Sequence, residues 1–151
     1  MHTVSIVVPV YNGESTIQEC VESILALSFA AGNVELLLID NDSTDRTPEI
    51  LRGFDNRAVV LHEKTRGPAA ARNRGLMNAK GDIVAFTDAD CIVHRDWLTE
   101  LIQPLTDDSV GIAGGTILAT RPCNAIEEFG ERIHDHRLAI ECDSPPYAIT
   151  M

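Results

Sequence analysis

The run Val4-Ser5-Ile6-Val7-Val8 constrains this chain more than any other feature. It is β-branched and apolar at nearly every position, so it lacks the alternation of a strand with one wet face. Such a run reads as a strand buried on both sides, as in a parallel sheet covered by helices. Pro9 and the Tyr11-Asn12-Gly13 turn stop it. Ile17, Val21, Ile24, Leu25 and Leu27 then recur on a helical face, and Ser15 and Gln18 have capping-box spacing. A second buried run, Val34 to Ile39, ends at Asp40. Thr47-Pro48 opens a short helix, because proline suits the first helical position. Ala58-Val59-Val60-Leu61 is a third strand, Gly67-Pro68 opens a helix to about Ala79, and Gly81 ends it. Ile83-Val84-Ala85-Phe86 is a fourth strand, and it delivers Asp88. Strands alternating with helices at this spacing predict an α/β fold with a mostly parallel sheet flanked by helices.

Beyond Asp90, Trp97, Leu98, Leu101 and Ile102 fit one face of a helix, and Val110-Gly111-Ile112-Ala113 a further strand. Residues 124–141 read as helical, and Tyr147 to Thr150 open another strand as the chain reaches Met151. No repeat or internal boundary divides the 151 residues, a length that suits one domain spanning 1–151. The formal net charge of −11 argues against nucleic-acid binding and against a polybasic membrane anchor. It leaves room for an anionic ligand, since a metal and a few arginines reverse the field within one cleft. Cys20, Cys91, Cys123 and Cys142 are far apart, which predicts reduced thiols in a cytoplasmic protein rather than a disulfide framework. No apolar segment reaches the roughly 18 residues that span a bilayer.

In parallel sheets of this kind ligands bind beyond the carboxyl ends of the strands. Those ends are Pro9 to Asn12, Asp40 to Asp42, His62 to Arg66 and Asp88 to Asp90. Asp88-Ala89-Asp90 is the most telling of them. Two carboxylates one residue apart at the mouth of a buried strand repel each other unless something offsets them. Mg²⁺ or Mn²⁺ does so, and usually shares its shell with phosphate oxygens. The competing reading is an acidic surface turn, and the convergence of polar strand ends weakens it. His134-Asp135-His136 invites a metal reading too, but residues two apart on a helix face away from each other. His62 and His94 read as surface or loop residues.

Four blocks in register carry a resemblance: Val4 to Asn12, Ile39-Asp40-Asn41-Asp42-Ser43-Thr44-Asp45, Gly67-Pro68-Ala69-Ala70-Ala71-Arg72-Asn73-Arg74-Gly75, and Phe86-Thr87-Asp88-Ala89-Asp90. Together they resemble the family 2 inverting glycosyltransferases of the GT-A fold, closely over about residues 3–105. The resemblance implies that Pro9, Tyr11 and Asn12 lie beside the nucleobase of a nucleotide-sugar donor, a UDP-sugar. It implies that Asp40 accepts from the uracil ring N–H, with Asp42 close by. Here the chain departs from the common Asp-Asp-Gly-Ser pattern, having Asp40-Asn41-Asp42-Ser43. Arg66 and Arg72 flank a helix start, where cations and the helix N-terminus favour an anion, and the resemblance places them near the donor. The resemblance further implies that Asp88 bonds the ribose and reaches the metal through water, and that Asp90 ligates Mn²⁺ or Mg²⁺ on the diphosphate. Asp45 and Ser43 also suit the cap of the following helix.

Inverting transfer needs a general base for the acceptor hydroxyl. The family's base is an Asp or Glu further along, and none of the acids between residues 123 and 145 sits in a recognisable base motif. The expectation is a donor-binding half of a GT-A domain, cut short at its C-terminus, with the acceptor (saccharide, lipid or protein) and base supplied elsewhere. The sheet edge left by such an ending favours homodimerisation. A longer parent protein would act in the cytoplasm or at the inner face of the membrane. The alternatives are a nucleotide-sugar binding or regulatory module without turnover, and a haloacid-dehalogenase-type phosphatase, which expects its Asp pair on the first strand.

Overall fold

In this computed structural model, which describes residues 2–30, 32–107 and 109–117, four parallel strands form one sheet in the order β3-β2-β1-β4. The strands are β1 (His2–Val10), β2 (Gly32–Asp40), β3 (Val59–His62) and β4 (Ile83–Phe86). The helices between and after them are α1 (Ile17–Leu25), α2 (Thr47–Arg52), α3 (Pro68–Asn78) and α4 (Trp97–Ile102). The chain packs as two units, Met1–Thr99 and Glu100–Met151, and the sheet belongs to the first. The α/β expectation of a parallel sheet flanked by helices is met.

The continuous run explains why β1 is central. Val4, Ile6, Val7 and Val8 are all fully buried, so both faces of the strand are covered. Each such side chain contributes about 1.5–3 kcal/mol by leaving water. On one face Val7, Leu37, Ile39 and Ala71 form a core cluster beneath α3. The helix comes close because residue 75 is glycine: a Cβ there would lie 2.3 Å from a Val7 methyl.

Ser5, also on β1, is buried but polar. Its hydroxyl donates to Glu35 Oε1 and accepts from the backbone N–H of Gly81 at 2.8 Å, tying the α3–β4 turn to the sheet. Gly81 approaches so closely that a Cβ would stand 2.6 Å from the Ser5 nitrogen. Burial by itself raises the Glu35 pKa, but hydrogen bonds from Ser5 and the Lys80 and Gly81 amides outweigh it, so the folded carboxyl titrates below its ordinary value. A depressed carboxyl lends stability that is present above its unfolded pKa and is lost as pH falls through the folded one. Glu35→Gln is therefore expected to flatten the fall of melting temperature between about pH 5 and pH 3, as followed by circular dichroism. An unchanged acid limb would count against this account.

Three local expectations are corrected. Ser15 does not cap α1. The helix begins at Ile17 with no side-chain cap, and the Ile17 N–H instead donates to the Gly13 carbonyl at 2.9 Å. The Asn12-Gly13 turn winds straight into the helix, which leaves the capping box nothing to do. Val110 to Ala113 form no strand: residues 110–117 carry no regular structure and pair with no strand among the described residues. Gly111, Gly114 and Gly115 weaken strand preference there. Asp45 does hold the start of α2, its Oδ1 accepting from the Thr47 N–H at 3.0 Å. Ser43 does not; its hydroxyl accepts from Asn12. The helix read over 124–141, the strand at 147–150 and His134-Asp135-His136 lie outside the described residues. Among the described residues no helix is long and apolar enough to cross a membrane.

Candidate functional site

Register puts the strand ends in one row. Val10 pairs with Asp40, and Asp40 with His62, so β1, β2 and β3 finish level. On the other side β4 stops short, since its last residue, Phe86, pairs with Val7. Val8, Pro9 and Val10 therefore overhang the end of β4. The step falls between β1 and β4, where the connections change direction across the sheet, which is where such folds bind ligands.

A set of hydrogen bonds stitches the turn after β1 to the turn after β2. Asn12 N–H donates to Ser43 Oγ at 3.0 Å, Gly13 N–H to Thr47 Oγ1 at 2.8 Å, and Glu14 N–H to Asp45 Oδ2 at 3.1 Å. Thr44 N–H donates back to Asn12 Oδ1 at 2.8 Å, and Arg46 N–H to a Glu14 carboxylate oxygen at 3.0 Å. The side chain of Asn12 is thus engaged in bracing the two turns, and it does not line the cleft described below. Both turns use left-handed backbone, at Asn12 (φ 49°) and Asp42 (φ 61°). Asp42 occupies the place of glycine in the common Asp-Asp-Gly-Ser pattern, and its backbone keeps the conformation that glycine favours.

Asp40 is buried at the end of β2. Its Oδ1 accepts from the Ser43 N–H at 3.2 Å, and its Oδ2 lies 3.1 Å from His62 Nδ1. Asn41, also buried, organises the loop that leads into α3. Its Nδ2 donates to the carbonyls of Glu63 (3.0 Å) and Thr65 (2.7 Å), and its Oδ1 accepts from the Gly67 N–H at 2.8 Å. Gly67 has φ 126°, a conformation open to glycine and strained for other residues. That loop carries Arg66, whose guanidinium stands 5.2 Å from the Tyr11 ring centroid and 3.5 Å from Asp42 Oδ2. Both contacts are half-exposed and weak, so they steer Arg66 without locking it.

On the opposite wall, Arg72 of α3 pairs with Asp88, Nη2 to Oδ1 at 2.6 Å. The backbone carbonyl of Asp88 is pinned from two sides, by the Cys20 thiol at 3.4 Å and by the Cys91 N–H at 3.1 Å. Burial, then the neighbouring Cys91, Asp90 and Asp88, push the Cys20 thiol up to about 12. It therefore stays protonated and able to donate. Asp90 is exposed, and the Cys91 thiol lies 3.8 Å from its Oδ1.

Pro9, Val10, Tyr11, Asn41, Arg66, Gly67, Pro68 and Asp88 together enclose a cleft of about 350 Å³. Of the residues singled out from sequence, Pro9, Tyr11, Arg66 and Asp88 line it directly. Asp42 and Arg72 join it through their ion pairs with Arg66 and Asp88. Asp40 sits one residue behind the lining Asn41, and Asp90 two residues beyond Asp88. Among the described residues no three or more His, Cys, Asp or Glu side chains converge to hold a metal by themselves. Asp88, paired with Arg72, and the exposed Asp90 are the carboxylates at this strand end that could offer oxygens to a metal. Such oxygens suit Mg²⁺ or Mn²⁺, which complete their shells from phosphate oxygens and water. Sequence reasoning missed Asn41, Cys20 and the engagement of His62. The signal for His62 was its place at a strand end.

The sequence profile described as "Glycosyl transferase family 2" matches residues 5–146. Glycosyltransferase AglE of Haloferax volcanii is 35% identical over 123 residues, which are 79% of this chain and 40% of that protein. Among solved structures, S. aureus TarS 1-349 in complex with UDP superposes with a TM-score of 0.61 at 30% identity, covering 68% of this chain and 32% of that one. The mannosyltransferase PcManGT from Pyrobaculum calidifontis, in complex with GDP-Man and Mn²⁺, gives a TM-score of 0.68 at 33% identity, covering 73% of this chain and 34% of that one. The chain thus spans well under half the length of these proteins. With a stepped parallel sheet, four motif blocks gathered at one edge and a profile match over most of its length, the chain belongs to glycosyl transferase family 2.

Proposed function

We propose that this chain forms the donor side of an inverting, metal-dependent glycosyltransferase that takes its sugar from a UDP-sugar. The observation that carries the reading is the cleft at the β1–β4 step, which sets an aromatic ring, a cationic side chain, a helix start and a carboxylate around one volume. Tyr11 and the Pro9-Val10 backbone suit a flat heterocycle. Asp40, an acceptor when ionised, suits a ring N–H, which uracil has and cytosine lacks. Arg66 and the N-terminus of α3 favour the diphosphate. Asp88, held by Arg72, bonds the ribose, and Asp90 takes the metal. When bound there, the metal offsets charge on the departing nucleoside diphosphate. TarS with UDP and PcManGT with GDP-Man and Mn²⁺ support a nucleotide donor and a divalent ion. The free thiols of Cys20 and Cys91 support a cytoplasmic setting.

Calorimetric titration of the chain with UDP tests this. Binding is expected with Mn²⁺ and is expected to weaken at least about tenfold when EDTA replaces the metal. No binding, or equal binding in EDTA, would sink the proposal.

A further inference from the structure

We propose that His62 is a positioning residue for nucleobase recognition, holding the Asp40 carboxylate in the orientation that accepts a ring N–H. The inference rests on the reading of Asp40 as the base acceptor. His62 and Asp40 are the last residues of their strands and are partners in the ladder, so their side chains stand as cross-strand neighbours. The His62 ring nitrogen Nδ1 lies 3.1 Å from Asp40 Oδ2. An ionised carboxylate only accepts, so Nδ1 carries the proton of this bond.

The exposures of the two partners are unequal, and that separates positioning from packing. The Asp40 side chain is 9% exposed and that of His62 47%. A carboxylate so far removed from water depends on its few donors, which among the described residues are the Ser43 N–H on Oδ1 and His62 on Oδ2. With one donor on each oxygen the carboxyl plane is fixed about its last torsion, and both oxygens keep acceptor capacity for a base. Without His62 one oxygen loses its partner and the plane is free to turn. The histidine itself is half in solvent at the end of a four-residue edge strand, so its removal takes little from the core. Its loss therefore acts on the base site more than on the fold.

The test compares the parent, His62→Ala, His62→Asn and Asp40→Asn, measuring affinities for UDP and CDP in saturating Mn²⁺ together with melting temperature. His62→Ala is expected to weaken UDP about tenfold and to lower the UDP-to-CDP preference by a similar factor. Its melting temperature should stay close to the parent's. His62→Asn, whose amide N–H falls near the place of Nδ1, should restore most of both. Parental UDP affinity and preference in His62→Ala, alongside their loss in Asp40→Asn, would overturn the role of His62 while leaving Asp40 in place. A loss that His62→Asn shares in full would also overturn it, because the donor would then not be what matters. Unchanged affinity and preference in Asp40→Asn would remove the reading of Asp40, and this inference with it.

Discussion

Asp90→Asn is expected to lower the affinity for UDP in saturating Mn²⁺ by about a hundredfold and to leave the residual binding indifferent to EDTA. The substitution keeps the shape of the side chain and removes its charge. A carboxamide oxygen is a weaker ligand for a hard cation than a carboxylate, and the amide's other arm presents N–H groups. Asp90 is exposed and forms no ion pair among the described residues, so none is broken in the exchange and the fold should be spared. Asp88→Asn makes an instructive contrast. It also takes the charge out of the 2.6 Å ion pair with Arg72, leaving at best a neutral amide oxygen to accept from a guanidinium whose Nε is already buried without a partner among the described residues. That variant should lose stability as well as affinity, whereas Asp90→Asn should lose affinity alone. Calorimetry with and without Mn²⁺, beside urea unfolding, distinguishes the two. Metal-dependent binding of parental strength in Asp90→Asn would remove Asp90 from the metal site.

The expected losses fall at residues that were legible in different degrees. β1 and β2 could be read because continuous apolar runs have few other uses in a chain of this size, and their ends then place Pro9 and Asp40 without further help. Asp88 and Asp90 follow the end of β4, whose apolar run marked it as a strand although Ala85 alone of its four residues is buried. Val110 to Ala113 looked like one more such run, but a strand is defined by a partner as well as by its own residues, and none pairs with it among the described residues. The capping box at Ser15 failed for a related reason: the backbone turn at Gly13 had already supplied what the box would have supplied. Asn12 was expected in a turn beside the base, and its side chain has a further contact that the expectation lacked, 32 residues ahead at Thr44. Contacts across such separations depend on register and loop path, which periodicity does not carry.

Asn41 shows that limit most sharply, and it carries the second large prediction. By pattern it is the middle of an acidic triplet, standing where the family commonly has aspartate. By structure it is a buried amide whose two N–H groups face the carbonyls of Glu63 and Thr65. Asn41→Asp, the substitution that restores the commoner pattern, is therefore expected to be damaging here. The Gly67 N–H can still donate to the new carboxylate, but two carbonyl oxygens now face a second oxygen in place of donors, at the present 2.7 Å and 3.0 Å separations. Leaving them unpaired beside a buried charge costs about 3–5 kcal/mol. The cost shrinks at low pH, where the acid can hold a proton and donate once. Loop 63–67 carries Arg66 and the start of α3, so UDP affinity should fall together with stability, and both should recover in part as the pH is lowered toward about 5. Asn41→Ser, small and neutral, should lose the loop contacts without that pH dependence. Urea unfolding and UDP titration at two pH values test the pair. A stable Asn41→Asp with parental affinity would mean that the loop does not rely on the amide, and that the departure from the family pattern at this position carries no structural weight.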